Sequence, residues 1–292
     1  MKCHHFSTIK TENGDLVPVP CGKCMPCRVN RSQEWTLRLE QEMVFAKSAH
    51  FLTLTYDQAQ IPRNDSGNGI LIKSDFQKFL KRLRYYVKQE EKHLIERTTP
   101  NITAKIPSVR YYLVGEYGEE TFRPHGHAII FNIPANVLRS IEQIWKQGHV
   151  RIGTVTHASI SYVTKYITKV DTRDLDRLDL TTPFQLMSVG IGARYASEPE
   201  NKEYHSRYAS LYTINKKYNQ RIGKYLEDKI HTTPEAKARV KSKKRRNSEK
   251  AQFAEDQKYA QLRKDGVDIA KYDREQREQQ IRNLSSKKRN KL

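Results

Sequence analysis

Val109-Arg110-Tyr111-Tyr112-Leu113-Val114-Gly115-Glu116 and His125-Gly126-His127-Ala128-Ile129-Ile130-Phe131 are two runs of strand-forming residues joined by eight residues rich in Gly and Glu. This composition and turn length predict an antiparallel hairpin. Upstream, Phe51-Leu52-Thr53-Leu54-Thr55-Tyr56 reads as a further strand, ended by Asp57 and the polar loop 64–69. Helical spacing of Trp35, Leu39, Met43 and Ala46 predicts a helix over Arg28 to Ala49. Ser74 and Gln77 form a capping-box pattern for a basic helix of roughly 75–96, with Phe76, Phe79, Leu83 and Tyr86 or Val87 as its apolar stripe. Pro134 opens a helix running to about Gln147 and stopped by Gly148. A short strand over 150–155 and a helix over 157–170 follow. Helices interleaved with hairpin-connected strands predict an α+β fold around an antiparallel sheet.

The 292 residues include 53 Lys+Arg against 33 Asp+Glu, a formal charge of +20. That excess is more than solubility needs, and a polyphosphate chain is its natural counter-partner. Residues 231–292 carry half of it, and their apolar residues are scattered. The region 226–292 is therefore expected to be a basic helical or disordered tail that buries little, with Lys241, Lys243, Lys244, Arg245 and Arg246 as DNA contacts. No run of about 18 apolar residues occurs, and the N-terminus lacks a signal peptide's apolar stretch, so neither a membrane span nor secretion is expected.

Four cysteines stand at 3, 21, 24 and 27, and none follows. Such clustering does not staple a chain of this length. It predicts that residues 1–27 form a loop-rich segment holding a metal through Cys3, Cys21, Cys24 and Cys27, with His4 or His5 able to replace one ligand. Structural Zn²⁺ in a reducing compartment is the first expectation. The tight double spacing also fits an iron–sulfur cluster, and thiols without metal are the plain alternative.

Within the hairpin, His125 and His127 are two apart and share a sheet face, where two imidazoles can chelate a divalent ion. Pairing of the two strands sets Glu116 nearly opposite His125, although Glu119 and Glu120 on the turn compete as ligands. Two nitrogens and a hard oxygen suit Mg²⁺ or Mn²⁺ acting on a phosphate. Two histidines on an ordinary sheet are the simpler reading. Further on, Tyr162, Lys165, Tyr166 and Lys169 fall within an arc of about 100° on a helix, apart from the arc of Ile160, Val163, Ile167 and Val170. The tyrosines thus lie with the lysines rather than with the core stripe. Neighbouring lysines are expected to favour phenolate and to hold the phosphate under attack. The parts together describe covalent phosphoryl transfer.

Arg123-Pro124-His125-Gly126-His127 followed by an apolar run, then Tyr162-x-x-Lys165-Tyr166-x-x-Lys169, resembles the HUH endonuclease superfamily, and within it the two-tyrosine replication initiators of microviruses, the gokushovirus group in particular. Cys21-Gly22-Lys23-Cys24-Met25-Pro26-Cys27 leading into a basic helix with Trp35, and Thr53-Leu54-Thr55-Tyr56 as a first motif, extend the likeness over roughly residues 1–220. The resemblance implies a nuclease domain over 28–225 with a five-stranded antiparallel sheet, the histidine strand central and the tyrosine helix beside it. It also implies Tyr162 and Tyr166 as nucleophiles, a 5′-phosphotyrosine intermediate and a freed 3′-hydroxyl primer. The expected partners are single-stranded origin DNA, touched by Arg123, and a host helicase in the bacterial cytoplasm. Gly126 departs from the pattern, which usually has a bulky hydrophobic residue there. A glycine loosens a strand, so weakened metal affinity is the expected consequence. A transposase or relaxase shares the same chemistry. A zinc-containing nucleic-acid binder without catalysis explains the charge and the cysteines alone.

Overall fold

The structure, a computed structural model, describes residues 3, 5–10, 14–97, 106–166, 173–214 and 220–286. Chain contacts divide it into two units, Met1–Tyr195 and Ala196–Leu292. The boundary expected at 225/226 falls inside the second.

The first unit opens with a two-stranded antiparallel sheet, β1 (Phe6–Lys10) and β2 (Leu16–Pro20), where the sequence pattern predicts only loop. Helix α1 (Met25–Phe45) starts three residues earlier than its apolar spacing indicates, because Cys24 stands at its N-cap and Pro26 occupies its first turn. Strand β3 (Ala49–Thr55) leads to α2 (Lys73–Arg97). Ser74 therefore lies inside the helix rather than capping it. Strands β4 (Arg110–Tyr117) and β5 (Pro124–Phe131) form the hairpin, with Glu116 opposite His125.

The single helix expected over 134–147 is instead two short ones, α3 (Ala135–Arg139) and α4 (Ile141–Trp145), bent at Ser140. The bend brings Trp145 fully inside, where its indole donates to the Thr55 carbonyl at 3.1 Å. Gly148 then passes so close to β3 that a Cβ would lie 2.5 Å from the Thr55 oxygen. Next come β6 (Val150–Thr154), α5 (His157–Lys165), α6 (Arg173–Arg177) and the edge strand β7 (Phe184–Met187). The five strands form one antiparallel sheet in the order β6-β3-β5-β4-β7, which bears out the α+β expectation with the histidine strand at the centre.

Alternation along the strands sends residues to two cores. Leu113, Ala128 and Ile130 join Phe76, Phe79, Leu83 and Trp145 on the α2 face. Tyr112, Val114, Ile129 and Phe131 join Trp35, Leu39, Ile160 and Val163 on the α1 and α5 face. His125 and His127, in phase with Ile129, belong to the second face.

The second unit comprises α7 (Pro199–Tyr208), α8 (Gly223–Ile230), α9 (Pro234–Lys264) and α10 (Ile269–Ser286). The expected tail is thus helical where described. Leu226, His231 and Val240 are buried, the last against Ala209 and Leu211, while most of α9 is exposed. Among the described residues no helix is long and apolar enough to cross a membrane.

His205 is fully buried and donates from Nδ1 to the Ser210 carbonyl at 2.9 Å, and His231 lies beside it. Burial holds both imidazoles below their usual range; Glu227 opposes this at His231, and Lys244 and Arg239 reinforce it. Unfolding returns the rings to a pKa of about 6.5, so below that pH the unfolded chain binds more protons and this unit loses stability as the solution is acidified. In the full chain, hydrogen exchange of the α7 and α8 amides is expected to accelerate between about pH 7.5 and 5.5 beyond the intrinsic chemical trend. The acceleration should shrink in His205→Gln. Equal protection at both pH values contradicts the assignment.

Candidate active site and metal centres

β5 is the middle strand, so its side chains are flanked by neighbours on both edges. Thr53 of β3 pairs with His127, and Glu116 of β4 pairs with His125. His125 Nε2 and His127 Nε2 both point at one oxygen of Glu116, at 3.1 and 3.2 Å. His125 Nδ1 lies 3.0 Å from the Arg123 carbonyl, which can only accept, so that nitrogen carries the hydrogen. In the neutral ring Nε2 is then a lone pair facing a carboxylate. His127 Nδ1 is held at 3.1 Å by the Thr53 hydroxyl, which orients its Nε2 in the same direction.

Two lone-pair nitrogens and a carboxylate oxygen therefore converge within 4.8 Å, the donor set of a divalent cation. Burial works against the charge of Glu116, but hydrogen bonds from the two imidazoles and their positive charge outweigh it and hold the carboxyl below its usual range. Glu119 and Glu120 sit exposed on the turn, outside this group.

Helix α5 brings the tyrosines to the same place. Thr156 and Ser159 close a capping box at its start. Ile160 and Val163 anchor its apolar side, and Thr164 meets Thr36 of α1 in a buried hydrogen bond of 2.8 Å. The opposite side presents Tyr162 with its ring centroid 5.2 Å from His127, and Tyr166 stacked over the same imidazole at 6.2 Å. The two phenol rings are 5.3 Å apart. Phe51 stacks on His127 from β3 and meets Tyr162 edge-on. Lys165 is half-buried in the last turn; Lys169 lies outside the described residues.

The expected phenolate is not what this environment favours at Tyr166. Its pKa is raised, by burial first, then by the charge of Glu116 and a hydrogen bond with Tyr162. Arg123 is not a free basic side chain either: its guanidinium donates to the Tyr56 carbonyl and to Gln58, tying the hairpin turn to the end of β3.

Gly126 has a local reason. A Cβ there would lie 2.4 Å from the Phe76 ring, and one at Gly115, its cross-strand partner, 2.6 Å from Phe184. The two rings, 5.4 Å apart, fill the space that a bulky residue between the histidines would take, so the strand is packed rather than loosened. Gly126→Val is expected to destabilise the protein by about 1–3 kcal/mol through overpacking. Chemical denaturation reads this, and Phe76→Ala in the same chain should recover part of the loss. Unchanged stability of the single variant would contradict the fit.

A second group of ligands lies in the N-terminal segment. Cys3 Sγ is 3.6 Å from both Cys21 Sγ and Cys24 Sγ, Cys27 completes the set, and no disulfide joins the four. Tetrahedral thiolates around an ion at about 2.3 Å would stand about 3.8 Å apart, close to what is seen. Backbone N–H groups of Cys21 and Cys24 donate to Cys3 and Cys21 sulfurs at 3.3 Å each. Backbone hydrogen bonds from Cys24 and Lys23 lower the Cys21 thiol, whereas burial pushes Cys27 up to about 12. His5 is exposed, and His4 lies outside the described residues.

Fold and site define a class: a central antiparallel sheet presenting a His/His/Glu centre to a helix with paired tyrosines. Residues 49–171, which contain every ligand of that centre and both tyrosines, match the family model of the replication-associated protein ORF2. The chain is similar to replication-associated protein ORF2 of Spiroplasma virus 4, 28% identical over 229 residues, covering 73% of this chain and 67% of that one. It is also similar to replication-associated protein VP4 of Bdellovibrio phage phiMH2K, 32% identical over 51% of this chain, and to replication-associated protein ORF4 of Chlamydia phage 1, 27% identical over 52%. It spans 48% and 38% of those two relatives. The resemblance to phage replication proteins drawn from the motifs is borne out. No solved structure matches.

Proposed function

We propose that this chain initiates rolling-circle replication by nicking single-stranded origin DNA and carrying the cut end on tyrosine. One observation carries the reading: both phenol rings pack on His127, whose Nε2 meets the carboxylate that His125 also faces. Phage replication-associated relatives supply the biological setting, and favour an initiator over a transposase or relaxase. A binder without catalysis would leave the convergence of these five side chains without a purpose.

The step is a transesterification. A Tyr162 or Tyr166 oxygen bonds to phosphorus, the bond from phosphorus to the sugar 3′-oxygen breaks, and the phenol proton ends on that oxygen. The 5′ side becomes a phosphotyrosine and the 3′-hydroxyl is free to prime synthesis. A divalent ion held by Glu116, His125 and His127, Mg²⁺ or Mn²⁺ by ligand type, supplies positive charge that offsets the carboxylate and polarises a non-bridging phosphate oxygen. Thr53 and the Arg123 carbonyl keep the imidazoles aimed, and Lys165 adds a cation beside the tyrosines. Lys169 is assigned the same role from its helical position, and the basic face of α9, with Lys241 and Arg246, that of holding DNA without sequence preference. A host helicase would open the duplex behind the nick. Incubating the chain with Mn²⁺ and 3′-labelled single-stranded DNA from the genome that encodes it tests the proposal. Label retarded with protein on a denaturing gel is expected; label that runs only as free DNA counts against it.

For the cysteine group we assign structural Zn²⁺. Freshly reduced protein should contain about one zinc per chain by elemental analysis. Cys24→Ser should lose the metal and expose residues 3–27 to protease, since metal binding and local folding are coupled. Metal-free wild-type protein with a protected N-terminal segment contradicts the assignment.

A further inference from the structure

The second unit holds a cavity of about 340 Å³ lined by facing sides of α8 and α9. Lys237, Lys241 and Lys244 follow one another at helical spacing on α9, and Lys224 stands across from them on α8. Two of these four cations are neutralised: Lys224 pairs with Asp228, and Lys244 with Glu227 at 2.6 Å. Lys237 and Lys241 have no ion-pair partner among the described residues, so the lining has a surplus of two positive charges.

An independent observation sits in the wall. His231 lines the cavity and is 4% exposed, and its Nε2 is buried with no hydrogen-bond partner among the described residues. Burial removes the water that would satisfy such an atom, so an imidazole nitrogen left this way marks where a ligand atom binds. With hydrogen on Nε2 it donates, as the lysines do, and every unpaired group in the lining then seeks an acceptor. The surplus of two charges matches a phosphate monoester, which carries about −1.5 to −2 at pH 7, better than the single charge of a diester. The cavity is also larger than a bare phosphate and leaves room for an attached sugar.

We propose that this cavity binds a phosphate monoester on a nucleoside, either the 5′-phosphate terminus of a DNA strand or a free mononucleotide, through Lys237, Lys241 and His231. The site lies wholly in residues 224–244, so it does not rest on the nicking reading and is tested with that chemistry silent.

The experiment uses the full chain in EDTA with 3′-labelled oligothymidine, carrying either a 5′-phosphate or a 5′-hydroxyl, and thymidine 5′-monophosphate as the free probe. About tenfold tighter binding of the phosphorylated strand is expected, the worth of one charge-assisted contact. Lys237→Gln/Lys241→Gln should bring that ratio to one, whatever it does to overall affinity. Thymidine monophosphate that binds the wild type and not the variant, with no preference between strands, supports the same site with a free nucleotide as ligand. Equal binding of both strands together with no binding of the monophosphate overturns the proposal. So does a preference that survives in the double variant.

Discussion

Alanine at both His125 and His127 is expected to abolish strand cleavage while leaving DNA binding within a few-fold of wild type. The loss should exceed about a hundredfold, since even the outer partners of metal ligands are commonly worth ten- to a hundredfold. Binding survives because lysines and arginines elsewhere supply most of the affinity for phosphates. The fold needs a control, because Glu116 is 5% exposed and both its imidazole partners vanish in this variant. His125→Gln/His127→Gln keeps amide donors near the carboxylate while removing the paired imidazole ligands. It should melt close to wild type and still fail to cleave. Full cleavage by either variant in chelator-treated buffer would show that the centre is not catalytic.

The second large effect concerns the tyrosines. Tyr162 and Tyr166 stand one turn apart, and their rings approach the same imidazole from different directions. The arrangement fits two nucleophiles that alternate at one centre: the first holds the old 5′ end while the second cuts the regenerated junction. Tyr162→Phe and Tyr166→Phe should each still form a covalent adduct on a single nick site, and the double variant should form none. The singles need not be equal. Burial and Glu116 raise the pKa of Tyr166, which makes its phenolate the harder to reach without a cation beside it. Slower adduct formation through Tyr166, partly restored by raising Mn²⁺, is the expected asymmetry. One wholly inactive single variant beside a normal one would make this a one-tyrosine protein.

Much of this site is written in local periodicity. The two-residue spacing of His125 and His127 and the hairpin length that brings Glu116 across from them are properties of a single hairpin, and both hold in the structure. The separation of Tyr162 and Tyr166 from Ile160 and Val163 likewise survives, because it depends only on helical phase. What local pattern does not show is pairing between distant segments. Thr53 reaches His127 only because β3 lies beside β5, and the motif that contains Thr53 does not reveal that role. The buried bond between Thr36 and Thr164 that steadies the tyrosine helix spans 128 residues. Arg123 reads as a basic residue beside the histidines, yet its partners are a backbone carbonyl and a glutamine from the neighbouring strand's end. Strand β7 is four half-buried residues at a sheet edge, too short for alternation to register, and it is the strand whose Phe184 covers Gly115. The bend at Ser140 belongs to the same class, since it answers to the space around Trp145 rather than to helix propensity.

The account's central claim is that a tyrosine of α5 becomes covalently joined to DNA. Mass spectrometry of peptides from the protein, after reaction with single-stranded origin DNA and Mn²⁺ and digestion with nuclease, tests it directly. A nucleotide mass on the peptide containing Tyr162 and Tyr166, located to one or both phenol oxygens, is the predicted result. Cleaved DNA bearing a free 5′-phosphate, with both tyrosines unmodified, would contradict it.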